Sequence, residues 1–206
     1  MTVDITIVDY GVGNVASIAN MIRKTGLTSE LSADADVISA AERIILPGVG
    51  AFDTAASRLR LSGLGEVVAA KAAAGDRVLG VCLGMQLLLD GSEEGDEPGL
   101  GIVPGTVRRF PRTVGDETLR VPHMGWNTVT RQGNPDMLPA VLDGDRFYFV
   151  HSYYADPSDP SDTMAITDYG VPFASMIRRG NVVGAQFHPE KSHRMGARLL
   201  ADFGRS

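Results

Sequence analysis

The sequence predicts an α/β fold: a central, mostly parallel sheet flanked by helices, with an added antiparallel or mixed strand region, in a single domain over residues 1–206. Three observations predict it. The N-terminal half alternates short β-branched apolar runs with helix-length segments, the rhythm of a parallel sheet covered on both faces. Each long apolar run ends in a Gly-containing turn. The C-terminal half changes to closely spaced short strands parted by Gly and Pro, which favours hairpins at the edge of the parallel sheet.

The elements follow in order. Val3–Asp9 is largely apolar and β-branched, so it reads as a strand. After the turn Tyr10-Gly11-Val12-Gly13-Asn14, Asn14 is placed to cap a helix running to Lys24, with Gly26 as its stop. Arg43–Leu46 is a second strand, broken by Pro47-Gly48-Val49-Gly50. Phe52–Leu61 and Leu64–Ala74 read as helices, the second ended by Gly75. Arg77–Val81 is a central strand that runs into Cys82 and a helix through Gln86-Leu87-Leu88-Leu89. Gly91–Gly99 is too polar and Gly-rich for the core and reads as a surface loop. Thr106–Phe110, Thr128–Thr130, Phe147–Val150, Thr163–Thr167, Ala174–Arg178 and Val182–Gln186 read as short strands, and His193–Phe203 as a closing helix.

Bulk properties narrow the function. The net charge of −6 speaks against nucleic acid as a partner, because such proteins carry a basic excess. No apolar run approaches the ~20 residues that span a membrane. Met1-Thr2-Val3-Asp4 lacks the basic start of a signal peptide. One cysteine permits no internal disulfide, so a cytoplasmic setting is expected. One Cys and four His, with no paired-Cys or H-E-x-x-H spacing, provide no metal ligand set, and no cofactor is expected.

Cys82 stands in Gly80-Val81-Cys82-Leu83-Gly84, a G-x-C-x-G turn between strand and helix. The serine version of this turn is the nucleophile elbow, which lifts the side chain out at the end of a strand. A helix N-terminus there favours thiolate, and the Leu83 N–H points where an oxyanion would form. The plainer reading is a small buried apolar residue, the common fate of a lone cysteine. The flanking glycines and the position at a strand's carboxyl end, where open α/β sheets bind ligands, favour the elbow.

A thiol nucleophile needs a base, and the base needs an orienting group. Gln186-Phe187-His188-Pro189-Glu190 offers both. In an extended segment residues two apart point the same way, and Pro189 biases His188 to extended geometry. His188 and Glu190 would then reach one site. Taken alone, the tripeptide reads more readily as a solvated loop with an incidental His and Glu; beside an elbow cysteine that order reverses.

Pro47–Gly50, Gly80–Gln86 and Gln186–Glu190 together resemble, in order and spacing, the class I (triad) glutamine amidotransferases. Asp9–Asn14, Val121-Pro122-His123-Met124-Gly125-Trp126-Asn127, Phe147–Tyr153 and His188–Ser192 are similar to one branch, the glutaminase subunits of imidazole glycerol phosphate synthase, a histidine-biosynthesis enzyme. The resemblance implies that Cys82 attacks the glutamine side-chain amide, that His188 protonates the leaving ammonia and then activates water, and that Glu190 orients His188. It implies an oxyanion hole from the N–H groups of Leu83 and, after a rearrangement, Val49. It implies glutamine contacts at Gly48, Gly50, Gln86, His151 and Ser152. The ammonia would pass to a cyclase subunit, a (β/α)-barrel on a separate chain, with Asn14, Trp126, Tyr148 and Lys191 at or near the contact. Trp126 and Tyr148 would otherwise be core aromatics, and Lys191 a solvated cation.

Other classes remain open at this point. Gly11-Val12-Gly13-Asn14-Val15-Ala16 fits a dinucleotide-binding G-x-G-x-x-A, with Glu30 as the distal acid. It leaves Cys82, His188 and Glu190 unexplained. A redox-sensing cysteine elbow, or an amidotransferase subunit serving anthranilate or pyridoxal phosphate synthesis, are further alternatives.

Overall fold

A computed structural model describes residues 3–132 and 140–206; Met1 and Thr2, at the non-basic start, lie outside them. The chain runs β1 (Ile5–Val8), α1 (Val15–Lys24), β2 (Ser29–Ser32), α2 (Ala35–Ala40), β3 (Arg43–Gly48), α3 (Phe52–Leu61), α4 (Leu64–Ala74), β4 (Arg77–Cys82) and the one-turn α5 (Leu83–Gln86). Short strands follow: β5 (Gly91–Ser92), β6 (Gly105–Arg109), β7 (Thr113–Val114), β8 (Glu117–Thr118), β9 (His123–Thr128), β10 (Thr130–Arg131), β11 (Arg146–His151) and β12 (Tyr153–Pro157). The chain closes with β13 (Thr163–Tyr169), β14 (Val171–Arg179), β15 (Val182–Ala185) and α6 (His193–Arg205).

The main sheet is mixed, as expected. Its order is β2-β1-β3-β4-β15-β14-β12-β6-β5, with β13 and β10 branching from β14. From β2 to β15 all neighbours are parallel. Beyond β15, the pairings of β14 with β15, β12 and β13, and of β12 with β6, are antiparallel. A separate antiparallel ribbon pairs β9 with β11.

The alternation of side chains along a strand explains the two layers. Ile5, Ile7, Ile45, Leu79 and Val81 face α1 and α6, where Ile18, Ile22, Leu200 and Phe203 meet them. Val8, Ile44, Leu46 and Val78 face the other way, toward Ile38, Phe52, Leu59 and Val68 of α2, α3 and α4. A third cluster, built on Phe110, Phe147, Phe149, Phe173 and Phe187, fills the antiparallel half. Among the described residues no helix is long and apolar enough to cross a membrane.

Several expected boundaries shift, each for a local reason. β3 runs on through Pro47 to Gly48, because Pro47 pairs with Val81 and Gly48 with Cys82 in parallel register. Asn14 precedes α1 as expected, but its side chain makes no capping bond; its carbonyl accepts from Ser17 and Ile18 instead. The helix after Cys82 stops at Gln86 rather than Leu89. The carbonyls of Leu87, Leu88 and Leu89 accept from the N–H groups of residues 100–103, which draws the chain out of helical continuation. The expected strand Thr128–Thr130 is instead the end of β9 and the start of β10, so the H-M-G-W-N segment is itself strand. β2, α2 and β12 were not anticipated.

The C-terminus is pinned beside the start of β3. Arg43 donates from Nε and Nη2 to the Ser206 carbonyl at 3.1 and 3.0 Å.

Candidate active site

The elbow forms as its glycines require. Cys82 holds φ +55°, a conformation that costs a β-carbon residue energy and persists only where its surroundings impose it. The packing imposes it: a β-carbon on Gly80 would stand 2.7 Å from the Gly84 carbonyl oxygen, and one on Gly84 would collide with the Leu46 carbonyl. Strand, turn and α5 are therefore in backbone contact. The leading N–H groups of α5 have no intrahelical partner. With only one turn, α5 contributes less of a dipole than the longer helix expected from the sequence.

His188 and Glu190 come from the segment after β15, the strand that neighbours β4. The His188 Nδ1 lies 2.8 Å from Glu190 Oε1, with both side chains almost fully buried. Extended spacing does not bring them together. His188 is extended, but Pro189–Lys191 forms a 3₁₀ turn, and Glu190 reaches back from within it. The backbone is fastened on both sides: the His188 N–H donates to the Tyr148 carbonyl, and the Ser192 hydroxyl donates to the His188 carbonyl at 2.6 Å. With Nδ1 donating to the carboxylate, Nε2 is left for the cysteine side. Burial is the largest influence on His188 and favours its neutral form. The Cys82 sulfur and the Glu190 carboxylate together outweigh it and push His188 up to about 9.

Cys82 and His188 open into a cavity of about 420 Å³, within the range of small-molecule sites. Val49, Gly50, Leu83, Gln86, His151, Ser152 and Lys191 line it as well. Gly48 does not. It pairs with Cys82 beneath the elbow, where a β-carbon would stand 2.6 Å from the Gly84 nitrogen. Glu190 stands behind His188.

Gln86 uses both amide hydrogens internally, donating to the Tyr153 carbonyl at 2.9 Å and to Gln186 Oε1 at 3.0 Å. Its own carbonyl oxygen is left for a ligand. Gln186 in turn points its amide nitrogen at Cys82 Sγ, 3.9 Å away. His151 is buried, and burial pushes it down to about 3, against the raising effect of its bond to the Tyr153 carbonyl.

Glu94 also lines the cavity, and sequence reasoning missed it inside the polar loop. Its carboxylate accepts from the Phe52 N–H at 2.9 Å. Asp53 accepts from the N–H groups of Asp96 and Glu97, and Ser57 donates to Glu97, so the loop is tied to α3. The sequence carries no spacing signal for it, since the ties run through backbone N–H groups of α3 and the loop.

Of the residues expected at a partner contact, Lys191 lines the cavity. Trp126 and Tyr148 pair across β9 and β11, with rings 6.1 Å apart. Trp126 is 39% exposed, so it is no core residue. His193, not singled out from the sequence, stacks on it at 5.2 Å, and Lys191 sits 5.7 Å over the Tyr148 ring. Met124 on β9 and Val49 after β3 are also exposed. Asn14 opens α1, which packs against the Pro189–Lys191 turn.

Gly13 of the alternative dinucleotide fingerprint serves packing. A β-carbon on Gly13 would meet Pro47 at 2.9 Å, Tyr10 donates to the Pro47 carbonyl, and Glu30 accepts from Thr6.

The family model described as Glutamine amidotransferase class-I matches residues 6–205. The chain belongs to the class-I glutamine amidotransferases. Its similarity to individual members is extensive. The chain is 46% identical to imidazole glycerol phosphate synthase subunit HisH 2 of Pseudomonas aeruginosa, over 97% of this chain and 98% of that protein. It is 47% identical to subunit HisH of Streptococcus sanguinis, over 96% and 93%. Among solved structures, a glutamine amidotransferase superposes with a TM-score of 0.74 at 17% identity, covering 98% of this chain and 99% of that one. PurLQS from Thermotoga maritima gives 0.72 at 18% identity, covering 98% and 97%. At that identity the structural likeness of this amidotransferase to both speaks to the fold alone.

Proposed function

We propose that this chain is the glutaminase subunit of an imidazole glycerol phosphate synthase of histidine biosynthesis, hydrolysing glutamine to glutamate and ammonia for a separate cyclase subunit. The observation that carries the reading is the convergence of Cys82 and a carboxylate-bound His188 on one cavity. The full-length similarity to HisH subunits supports the pathway and the need for a partner.

The chemistry follows from the charges. With His188 held at about 9, a neutral-pH resting state places an imidazolium beside the Cys82 sulfur. The Cys82 sulfur attacks the glutamine carboxamide carbon, and the oxyanion is held by the N–H groups of Leu83 and Val49. His188 Nε2 gives its proton to the departing ammonia, leaving a glutamyl thioester. The same nitrogen then takes a proton from water, whose oxygen attacks the thioester and frees glutamate and the thiol. Glu190 holds the tautomer throughout. Gln86 Oε1 and Glu94 are acceptors suited to the substrate ammonium, with Gly50, His151 and Ser152 on the cavity wall. Gly48 supports the elbow from below. Ammonia passes to a (β/α)-barrel cyclase, which Trp126, Tyr148, Lys191 and Asn14 help to seat.

The test is glutamate release from glutamine by the chain alone and with an added barrel cyclase and its nucleotide ligand. Activity that appears on assembly, disappears in Cys82→Ala and leaves ammonia-dependent synthesis intact is expected. Equal loss of ammonia-dependent synthesis in Cys82→Ala would refute the division of labour.

A further inference from the structure

Two buried histidines outside the Cys82–His188–Glu190 group are joined in a single line of hydrogen bonds. His123 Nδ1 lies 3.2 Å from His151 Nε2. His151 Nδ1 lies 2.8 Å from the Tyr153 carbonyl, which can only accept, so Nδ1 carries the proton and Nε2 is an acceptor. His123 must therefore donate from Nδ1, and its Nε2 accepts from the Asn127 side-chain amide at 3.3 Å. Both tautomers are thus assigned by geometry. Burial pushes His123 down to about 4, so both rings are neutral at physiological pH.

The rings have little freedom to turn. His123 is sandwiched between Phe149 and Tyr169, with centroids 4.8 and 4.0 Å away. The line ends on the Tyr153 carbonyl, which also accepts from Gln86. A carbonyl has two lone pairs, and here His151 and Gln86 take one each. Gln86 also bonds Gln186, whose amide faces Cys82.

We infer that His123 and His151 form a fixed-tautomer relay that positions the Tyr153 carbonyl and, through it, Gln86, making His123 a positioning residue for glutamine capture; the inference rests on reading the cavity as a glutamine site. Removing the His123 N–H leaves the His151 Nε2 lone pair buried without a donor, while Nδ1–H still bonds the Tyr153 carbonyl. The ring is then released from one side and tilts. The Tyr153 carbonyl moves, and Gln86 moves with it.

The experiment compares His123→Phe, which keeps a ring in the stack but removes the donor, with His123→Asn, whose amide replaces a donor near Nδ1. Glutamine kinetics are measured in the cyclase complex. Long-range proton–nitrogen correlation on histidine-labelled chain reads the tautomers. The expected result is a rise of about 10-fold in KM for glutamine in His123→Phe, with kcat within about 3-fold, as for loss of a ground-state contact. His123→Asn should restore KM substantially, and ammonia-dependent synthesis should be unchanged in both. His151 should be an Nδ1–H tautomer in the unmodified chain and in His123→Phe, with its Nε2 resonance displaced in His123→Phe by loss of the His123 donor. An Nε2–H His151 in the unmodified chain would overturn the relay, as would an unchanged KM in His123→Phe. Equal damage in both variants would assign His123 a packing role only and overturn it too. Absence of glutaminase activity in the unmodified complex would instead overturn the glutamine reading and the role given to His123, while the tautomer spectrum still reports on the hydrogen bonds themselves.

Discussion

Acidification should destabilise this protein before its carboxylates titrate. Unfolded imidazoles titrate near 6.5, while His123 and His151 in the fold titrate at about 4 and about 3, chiefly because they are buried. Between those values the unfolded chain binds more protons. The stability they contribute is full above pH 6.5 and is lost as pH falls toward the folded values. From pH 7 to 5 the loss is about 2 kcal/mol for each imidazole. His188 has the opposite sign: held at about 9, its contribution is full below 6.5 and lost as pH rises through 9. It returns about 1 kcal/mol over the same interval, leaving a net loss near 3 kcal/mol. That is a large share of the roughly 5–15 kcal/mol that holds a typical domain. Urea unfolding followed by circular dichroism at pH 7, 6 and 5, at constant ionic strength, reads it directly. His123→Phe removes one of the two titrating groups and should cut the net acid-linked loss from near 3 to about 1 kcal/mol. Stability that stays flat from pH 7 to 5, or an undiminished loss in His123→Phe, would refute the assignment of two neutral buried histidines.

Two further expectations concern the site and its rim. Glu190→Gln removes the charge that helps to keep His188 protonated and disturbs its tautomer; glutamate release should fall by about 10²–10⁴-fold while ammonia-dependent synthesis persists, and a loss below about 5-fold would deny Glu190 an orienting role. Trp126→Ala removes a half-buried ring stacked on His193. It should cost the fold no more than about 1 kcal/mol but weaken cyclase binding by about 2 kcal/mol or more, as central aromatic anchors do. Titration calorimetry and a melting curve separate the two, and a lowered melt with unchanged affinity would return Trp126 to a folding role.

Much of the parallel half was legible because its strands are buried on both faces and read as unbroken apolar runs, such as Arg43–Leu46 and Arg77–Val81. β2 was not, since Ser29-Glu30-Leu31-Ser32 lies at the sheet edge and needs no apolar pattern. His123–Thr128 escaped for a related reason: it alternates a buried His with exposed Met and Trp, a polarity inverted from the usual strand. Cys82 and His188 were visible because each sits in a short motif whose geometry the chemistry demands. Glu94 was not, because what brings it to the cavity is a set of backbone donors on α3 and loop residues bonded to Asp53, which leave no periodic trace. The 3₁₀ turn at Pro189–Lys191 shows that a motif can be read correctly while the backbone supporting it is misjudged.

The Arg43–Ser206 contact fixes which end of the sheet a fused or tethered segment would leave from. Arg43 opens β3, and Gly48, beneath the elbow, closes it. Five residue steps at about 3.3 Å put the chain's end roughly 16 Å along the strand from the cysteine, at the opposite rim. A C-terminal tag would thus anchor the molecule to a surface with its cavity turned toward solution. A single-chain fusion through the same end to the proposed cyclase would need a linker long enough to travel around the sheet to the cavity side.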